Sequence, residues 1–232
     1  MPSSVYAAIA ASRKAYEEIV EPTFGYPRHR EVYSASLAAQ LVDPRCEGLC
    51  RGLWILHDAL RHSKACIATP AGACTGSHDV LLVADSAARE AAKAYTRGRH
   101  VVLVTDLDGG FEALTRLSQY ALCTAVHAHG DNMWLHPFLP GLRARCLIVT
   151  TQVEVPRGLG VLGPLGYTDG DRAILLAMAL GASRVEALWG GSPWAKAWGD
   201  PGVKALKLSV AKRLINVYSE ALGYRCEWMP VE

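Results

Sequence analysis

HVVLVTDLDGG (residues 100–110) is the stretch that decides the fold. Val101 to Val104 form a short unbroken apolar run, Thr105 extends it, and Asp106-Leu107-Asp108-Gly109-Gly110 ends it abruptly. A strand that is apolar on both faces has to be covered on both faces, which is the habit of parallel sheets. Outward from it the same grammar recurs in ACIAT (65–69), DVLLVA (79–84), LCTAVHA (122–128), RCLIVTT (145–151) and RVEALW (184–189). Helical patterns separate several of these runs: SAAREAAKAYTRG, FEALTRLSQ, DRAILLAMALG and VKALKLSVAKRLINVYSEALG. Strands alternating with helices predict an α/β fold, a three-layer core around a mainly parallel sheet.

Upstream of residue 65 no short β-rich run occurs. VYAAIAASRKAYEEIV (5–20) carries apolar residues at a helical period, TFGYPR (23–28) is a turn, and REVYSASLAAQLV (30–42) is a second helix stopped by Asp43-Pro44. Gly48 to His62 reads as a third, with Leu49, Leu53, Leu56 and Leu60 on one side. The organisation expected is a helical N-terminal extension (1–62) packed on an α/β catalytic core (63–232), as one folding unit.

Composition narrows the class. Of 232 residues half are apolar and a fifth charged, which excludes disorder, collagen-like repeats and a coiled-coil rod. A net charge of +2 gives no electrostatic case for a nucleic-acid partner. Charges break every apolar run before membrane-spanning length, so no membrane partner is expected. The N-terminus has no basic stretch ahead of its apolar residues and reads as the first helix, not a signal peptide. The seven cysteines are read as buried free thiols. Cys46-x3-Cys50 lacks a second close Cys/His pair to complete a zinc site, and an odd count without a secretion signal argues against a disulfide framework. The cytoplasm is the expected compartment.

Open parallel sheets bind ligands at the carboxyl ends of their strands. Six carboxylates in four segments fall where that edge is expected: Asp85 after VLLVA, Asp106 and Asp108 after VVLVT, Asp131 in HAHGDN after TAV, and Asp169 and Asp171 in GYTDGDR before a helix. An Asp-x-Asp directly after a buried strand crowds two like charges, which a cation or a proton relieves. Carboxylates select hard cations such as Mg²⁺. No Walker-type phosphate loop is present, so phosphate would rest on glycine turns and helix N-termini. The residues point to Mg²⁺-dependent chemistry on a phosphorylated substrate, a nucleotide above all.

Thr105-Asp106-Leu107-Asp108-Gly109, His127-Ala128-His129-Gly130-Asp131-Asn132 and Gly166-Tyr167-Thr168-Asp169-Gly170-Asp171-Arg172-Ala173, in this order, resemble the archaeal-type 6-hydroxymethyl-7,8-dihydropterin pyrophosphokinases, a family similar in core fold to thiamin pyrophosphokinase. The resemblance covers roughly residues 65 to 220, and Ala84-Asp85-Ser86-Ala87 stands where the family commonly has Ala-Asp-Gly-Ala. It implies ATP and Mg²⁺, a pterin alcohol as acceptor, diphosphate transfer with release of AMP, and a place in tetrahydromethanopterin or folate-type cofactor synthesis. It also implies Asp106, Asp108 and Asp131 as metal ligands, with Asp169 and Asp171 completing the metal site or orienting the hydroxyl. Asp85, Ser86, Gly109, His129, Asn132, Thr168 and Arg172 would bind the nucleotide. Trp134, Trp189, Trp194 and Trp198 are candidate walls for the pterin, and Lys204, Lys207 and Lys212 are either a phosphate-facing set or a solvated helix face. A homodimer is left open. Two rivals stand beside this reading: a pyrophosphokinase acting on another alcohol such as thiamin, and a metal-dependent nucleotide-sugar-binding protein, because Asp-x-Asp after a strand also serves sugar nucleotides.

Overall fold

The computed structural model describes residues 2–42, 48–94, 100–156, 158–187 and 200–224. Seven parallel strands form one sheet: β1 (Lys64–Ala68), β2 (Val80–Ala84), β3 (His100–Thr105), β4 (Cys123–His127), β5 (Leu147–Thr150), β6 (Val161–Leu162) and β7 (Arg184–Ala187). Their spatial order is β6-β5-β4-β3-β2-β1-β7. The run HVVLVT is β3, the middle strand, and its residues alternate between two buried faces. Val102 and Val104 join one core with β1, β2 and β4, while Val101 and Leu103 join another. The expected three-layer α/β architecture is therefore the one observed. The two-residue β6 is an addition the sequence did not signal, being too short to carry a period.

One face is covered by α5 (Ala88–Ala94), α6 (Phe111–Ser118) and a 3-10 stretch, Met133–Gly141. The other is covered by α4 (Gly48–Leu60), α7 (Asp169–Ala179) and α8 (Pro201–Leu222). Helix α7 is buried on nearly every side, which explains why its sequence, AILLAMA, is apolar all round.

The chain begins with α1 (Ser3–Ala15), continues through a wide π-helical stretch (Tyr16–Val20) and ends in α2 (Glu21–Phe24). Pro22 accounts for the widened turns: it has no N–H to donate, and its ring crowds the carbonyl four residues back. Gly25, at φ 65°, closes the helix. Val5, Ala8, Ala15, Tyr16, Ile19 and Val20 enter the same apolar core as α7 and α8. Ser4 donates to the Ala179 carbonyl at 2.6 Å. The third helix of this region, α3 (Arg28–Leu41), packs on the opposite side of the strand ends, where Ala35 and Ala38 meet Val126, Leu139 and Val149.

The cysteines correct the sequence reading. Cys66 is bonded to Cys74 and Cys123 to Cys146, while Cys50 is free and exposed. The second pair joins adjacent strands β4 and β5, so residues far apart in sequence meet across a register that composition does not reveal. Cys46 and Cys226 lie outside the described residues. No helix among the described residues is long and apolar enough to cross a membrane.

Candidate active site

Side-chain parity sets the site. Just past β3, Asp106 continues the row of Val102 and Val104, and His127, the last residue of β4, ends the row of Cys123 and Ala125. Both rows face α7, whose first residue is Asp169. Asp85 follows β2 and opens a 3-10 turn. The result is a group of three carboxylates, Asp85, Asp106 and Asp169, with oxygen atoms all within 4.8 Å of one another.

The backbone is bent to make this approach. Asp85 sits at φ 38° and Leu107 at φ 78°, a region that non-glycine residues enter at a cost of about 1–3 kcal/mol each and that concentrates at functional sites. Asp85 is held there by Thr105 Oγ1 (2.5 Å) and the Gly109 N–H (3.1 Å), both donating to its Oδ1. Gly109 is required: a Cβ there would lie 2.3 Å from Asp85 Oδ2 and 2.7 Å from the Ser86 nitrogen. Asn132 fixes the other wall by donating from Nδ2 to the carbonyls of Asp106 and His127, the latter at 3.0 Å.

Crowding and burial act together on the charges. Burial, then the neighbouring Asp106, pushes the Asp85 carboxyl well above the usual carboxylate range. Asp106 is pushed up to about 6, by burial first and Asp108 second. Asp169 is also raised by burial and by Asp106, against the pull of Arg172, whose Nη1 donates to it at 2.8 Å. Arg172 is itself fully buried and donates to the carbonyls of Leu165 and Tyr167 at 3.0 and 2.9 Å. It braces the turn and partly neutralises Asp169, which differs from the phosphate contact that the resemblance implies.

Asp171 has another task. It is the N3 residue of a capping box on α7: its carboxylate accepts from the N–H groups of Tyr167 (2.9 Å) and Thr168 (2.5 Å) and from Thr168 Oγ1 (2.6 Å). Asp108 is exposed at the rim, its N–H donating to Asp106 at 3.3 Å. Asp131 is 61% exposed and 3.6 Å from His129 Nε2. Of the three metal ligands implied by the resemblance, the structure brings only Asp106 into the cluster. Asp85 and Asp169 join it there, because strand parity and the α7 start aim them inward.

A second group, unforeseen in the sequence, adjoins the first. Glu31, on α3, is 1% exposed. Its oxygens lie 2.9 and 3.0 Å from His129 Nδ1, and Oε1 also accepts from the Gly130 N–H at 3.1 Å. Glycine at 130 lets α3 come close, since a Cβ would stand 2.9 Å from Glu31 Oε1 and 3.0 Å from the Arg30 Cβ. Tyr26 packs edge-on against His129, with ring centroids 4.9 Å apart, and Phe24 stacks on Tyr167 at 5.1 Å. Lys207 stands 6.0 Å over the Tyr26 ring. Lys204 is lowered by burial and held up by the nearby Asp108. Trp134 is 71% exposed, and Trp189, Trp194 and Trp198 lie outside the described residues. A cleft of about 580 Å³, lined by Arg51, Trp54, His100 and Arg145 among others, opens at the amino ends of the strands, opposite the carboxylates.

An all-parallel α/β sheet with three clustered carboxylates at its carboxyl edge, one buried and two half-buried, defines a candidate cation site. Three curated archaeal proteins, each named 6-hydroxymethyl-7,8-dihydropterin pyrophosphokinase, resemble this chain. The protein of Methanothermobacter thermautotrophicus is 45% identical over 86 residues, 36% of this chain and 35% of its own length. That of Pyrococcus furiosus is 39% identical over 87 residues, 36% of this chain and 34% of its own. That of Methanocaldococcus jannaschii is 29% identical over 162 residues, 61% of this chain and 64% of its own. The match thus spans about a third of the first two relatives and under two thirds of the third. No protein-family model matches the chain. The likeness supports the family that the three motifs resemble.

Proposed function

We propose that the protein transfers diphosphate from ATP to the hydroxymethyl group of 6-hydroxymethyl-7,8-dihydropterin, with Mg²⁺ held at Asp85, Asp106 and Asp169. The observation that carries this reading is the carboxylate cluster. One buried and two half-buried acids, each raised first by burial and then by a neighbouring carboxylate, form a site that a divalent cation stabilises and that no apolar ligand could use. The donor set is all oxygen, which suits Mg²⁺ and not a thiolate-seeking metal. When bound, Mg²⁺ would neutralise phosphate charge. The names of the three relatives supply the acceptor and the reaction class.

The chain's own groups fit the rest. Helix α6 starts after Gly110 without a side-chain cap, leaving N–H groups beside the cluster for phosphate oxygens. Lys204 and Lys207, near Asp108 and Tyr26, are cations on the facing helix α8. In the reaction the alcohol oxygen bonds to the β-phosphorus. The bond from that phosphorus to the α–β bridging oxygen breaks, AMP leaves with the electron pair, and the hydroxyl proton is released. Positioning and charge neutralisation account for most of such catalysis. A cytoplasmic setting follows from ATP as co-substrate, and the product would enter tetrahydromethanopterin or folate-type synthesis.

The test is product analysis by phosphorus NMR of purified protein with ATP, Mg²⁺ and the pterin alcohol. One AMP and one diphosphorylated alcohol per turnover are expected. AMP only with thiamin, or UDP or GDP release from a sugar nucleotide, would replace this reading with one of its rivals.

A further inference from the structure

His127 and Gln152 flank His129, and each is buried, at 2% and 1% exposure, with a polar atom that has no partner: His127 Nε2 and Gln152 Oε1. His127 follows from its neighbours. Thr150 Oγ1 donates to the Val126 carbonyl at 3.2 Å and receives His127 Nδ1–H at 3.4 Å, which leaves Nε2 as a bare acceptor. Burial lowers the His127 pKa, so the ring stays neutral and keeps that lone pair. Gln152 is freer still. Glu31 can only accept, so His129 Nδ1–H belongs to it, and Nδ1 then has no lone pair for the Gln152 amide 3.2 Å away. An amide buried with neither end firmly bonded costs about 1–3 kcal/mol. Such groups are uncommon in native proteins, and a bound ligand is one way of completing them.

Resting on the function proposed above, we infer that this floor reads the acceptor: Gln152 and His127 hydrogen-bond the edge of a flat amino-lactam heterocycle, Tyr26 and Tyr167 wall it, and Glu31 is the positioning residue that fixes His129 beneath it. A lactam with an exocyclic amine offers adjacent donors and acceptors, the complement of one amide and one bare imidazole nitrogen. The floor adjoins the carboxylates through two links. Asn132 ties the carbonyls of Asp106 and His127 together, and Tyr167 stands two residues before Asp169. Phe24 and Glu31 lie on N-terminal helices and Tyr26 in the turn between them, so the N-terminal region completes the acceptor half of the site.

The experiment is a fluorescence titration of 6-hydroxymethylpterin into the protein without ATP or metal, paired with thermal melting. Wild type should bind. Gln152→Leu, close to isosteric, should weaken binding at least about tenfold while Tm stays equal or rises, because the unsatisfied amide is gone. Glu31→Gln should raise the acceptor KM and leave the ATP KM within about twofold. If Gln152→Leu does not fold, Tyr26→Leu serves instead and should weaken the ring by about threefold or more through lost stacking. Wild-type affinity in these variants, or no binding by wild type, overturns the inference. Ring binding without AMP formation would reject the reaction and keep the floor. AMP formation with an unchanged acceptor KM in Gln152→Leu would do the reverse.

Discussion

At Asp85, Asp106 and Asp169 three acids crowd within 4.8 Å with Arg172 as counter-charge, whereas Glu31, more deeply buried than any of them, has its oxygens engaged by His129 and the Gly130 N–H. The first arrangement is a repulsion maintained by strained backbone at Asp85 and Leu107; the second is a satisfied pair joining two regions of the chain. A buried charge with its partners supplied is architecture, and a buried charge group without enough of them is a binding site. On the function proposed above, the acid cluster takes a cation with its phosphates, and the Glu31–His129 pair shapes the neighbouring floor for a neutral ring.

Substitutions break this contrast in order of size. Asp106→Asn should lower kcat/KM by about a thousandfold, roughly 4 kcal/mol of transition-state stabilisation, and Asp169→Asn by about a hundredfold, in steady-state assays of AMP formation. Asp171→Asn separates cap from cluster only two residues away. It should lower stability by about 1 kcal/mol in a denaturant melt, with turnover of the folded protein within about threefold of wild type. A large kinetic loss with normal stability would return Asp171 to the catalytic group that the sequence assigns it to.

The smallest effect is on pH. Asp106 is raised to about 6 in the folded protein, so on acidification it takes up its proton before an unfolded chain does. For an acid raised on folding, stability is fully present below the ordinary carboxylate range and is lost as pH rises through about 6. Metal-free protein should melt higher at pH 5 than this group allows at pH 7.5, and a divalent cation should recover the difference at pH 7.5. A melting curve in which Asp106→Asn has the same pH slope as wild type would break the assignment.

The strands and the acids were legible because each is a local pattern. HVVLVT is β3 residue for residue, and Asp85, Asp106 and Asp169 stand at the ends and starts of elements that the sequence marks. The choice among six aspartates was not legible. It depends on parity beyond the strand end, on φ 38° at Asp85, and on a capping box that turns Asp171 inward to its own backbone. The Glu31–His129 pair was hidden for a different reason: its members are separated by 98 residues, and Glu31 sits in a helix with no motif around it. Gly130, in the HAHGDN segment, was the available clue, a glycine where a helix approaches. The disulfide between Cys123 and Cys146 was missed likewise, since it follows from β4–β5 adjacency.

The central claim is that Asp85, Asp106 and Asp169, and not Asp108 or Asp131, hold the cation. Electron paramagnetic resonance of Mn²⁺ titrated into the protein with a non-hydrolysable ATP analogue tests it directly. Wild type and Asp131→Asn should bind Mn²⁺ alike, and Asp106→Asn and Asp85→Asn should weaken it by about tenfold or more. Equal affinity in Asp85→Asn and wild type, with loss in Asp131→Asn, would contradict the account.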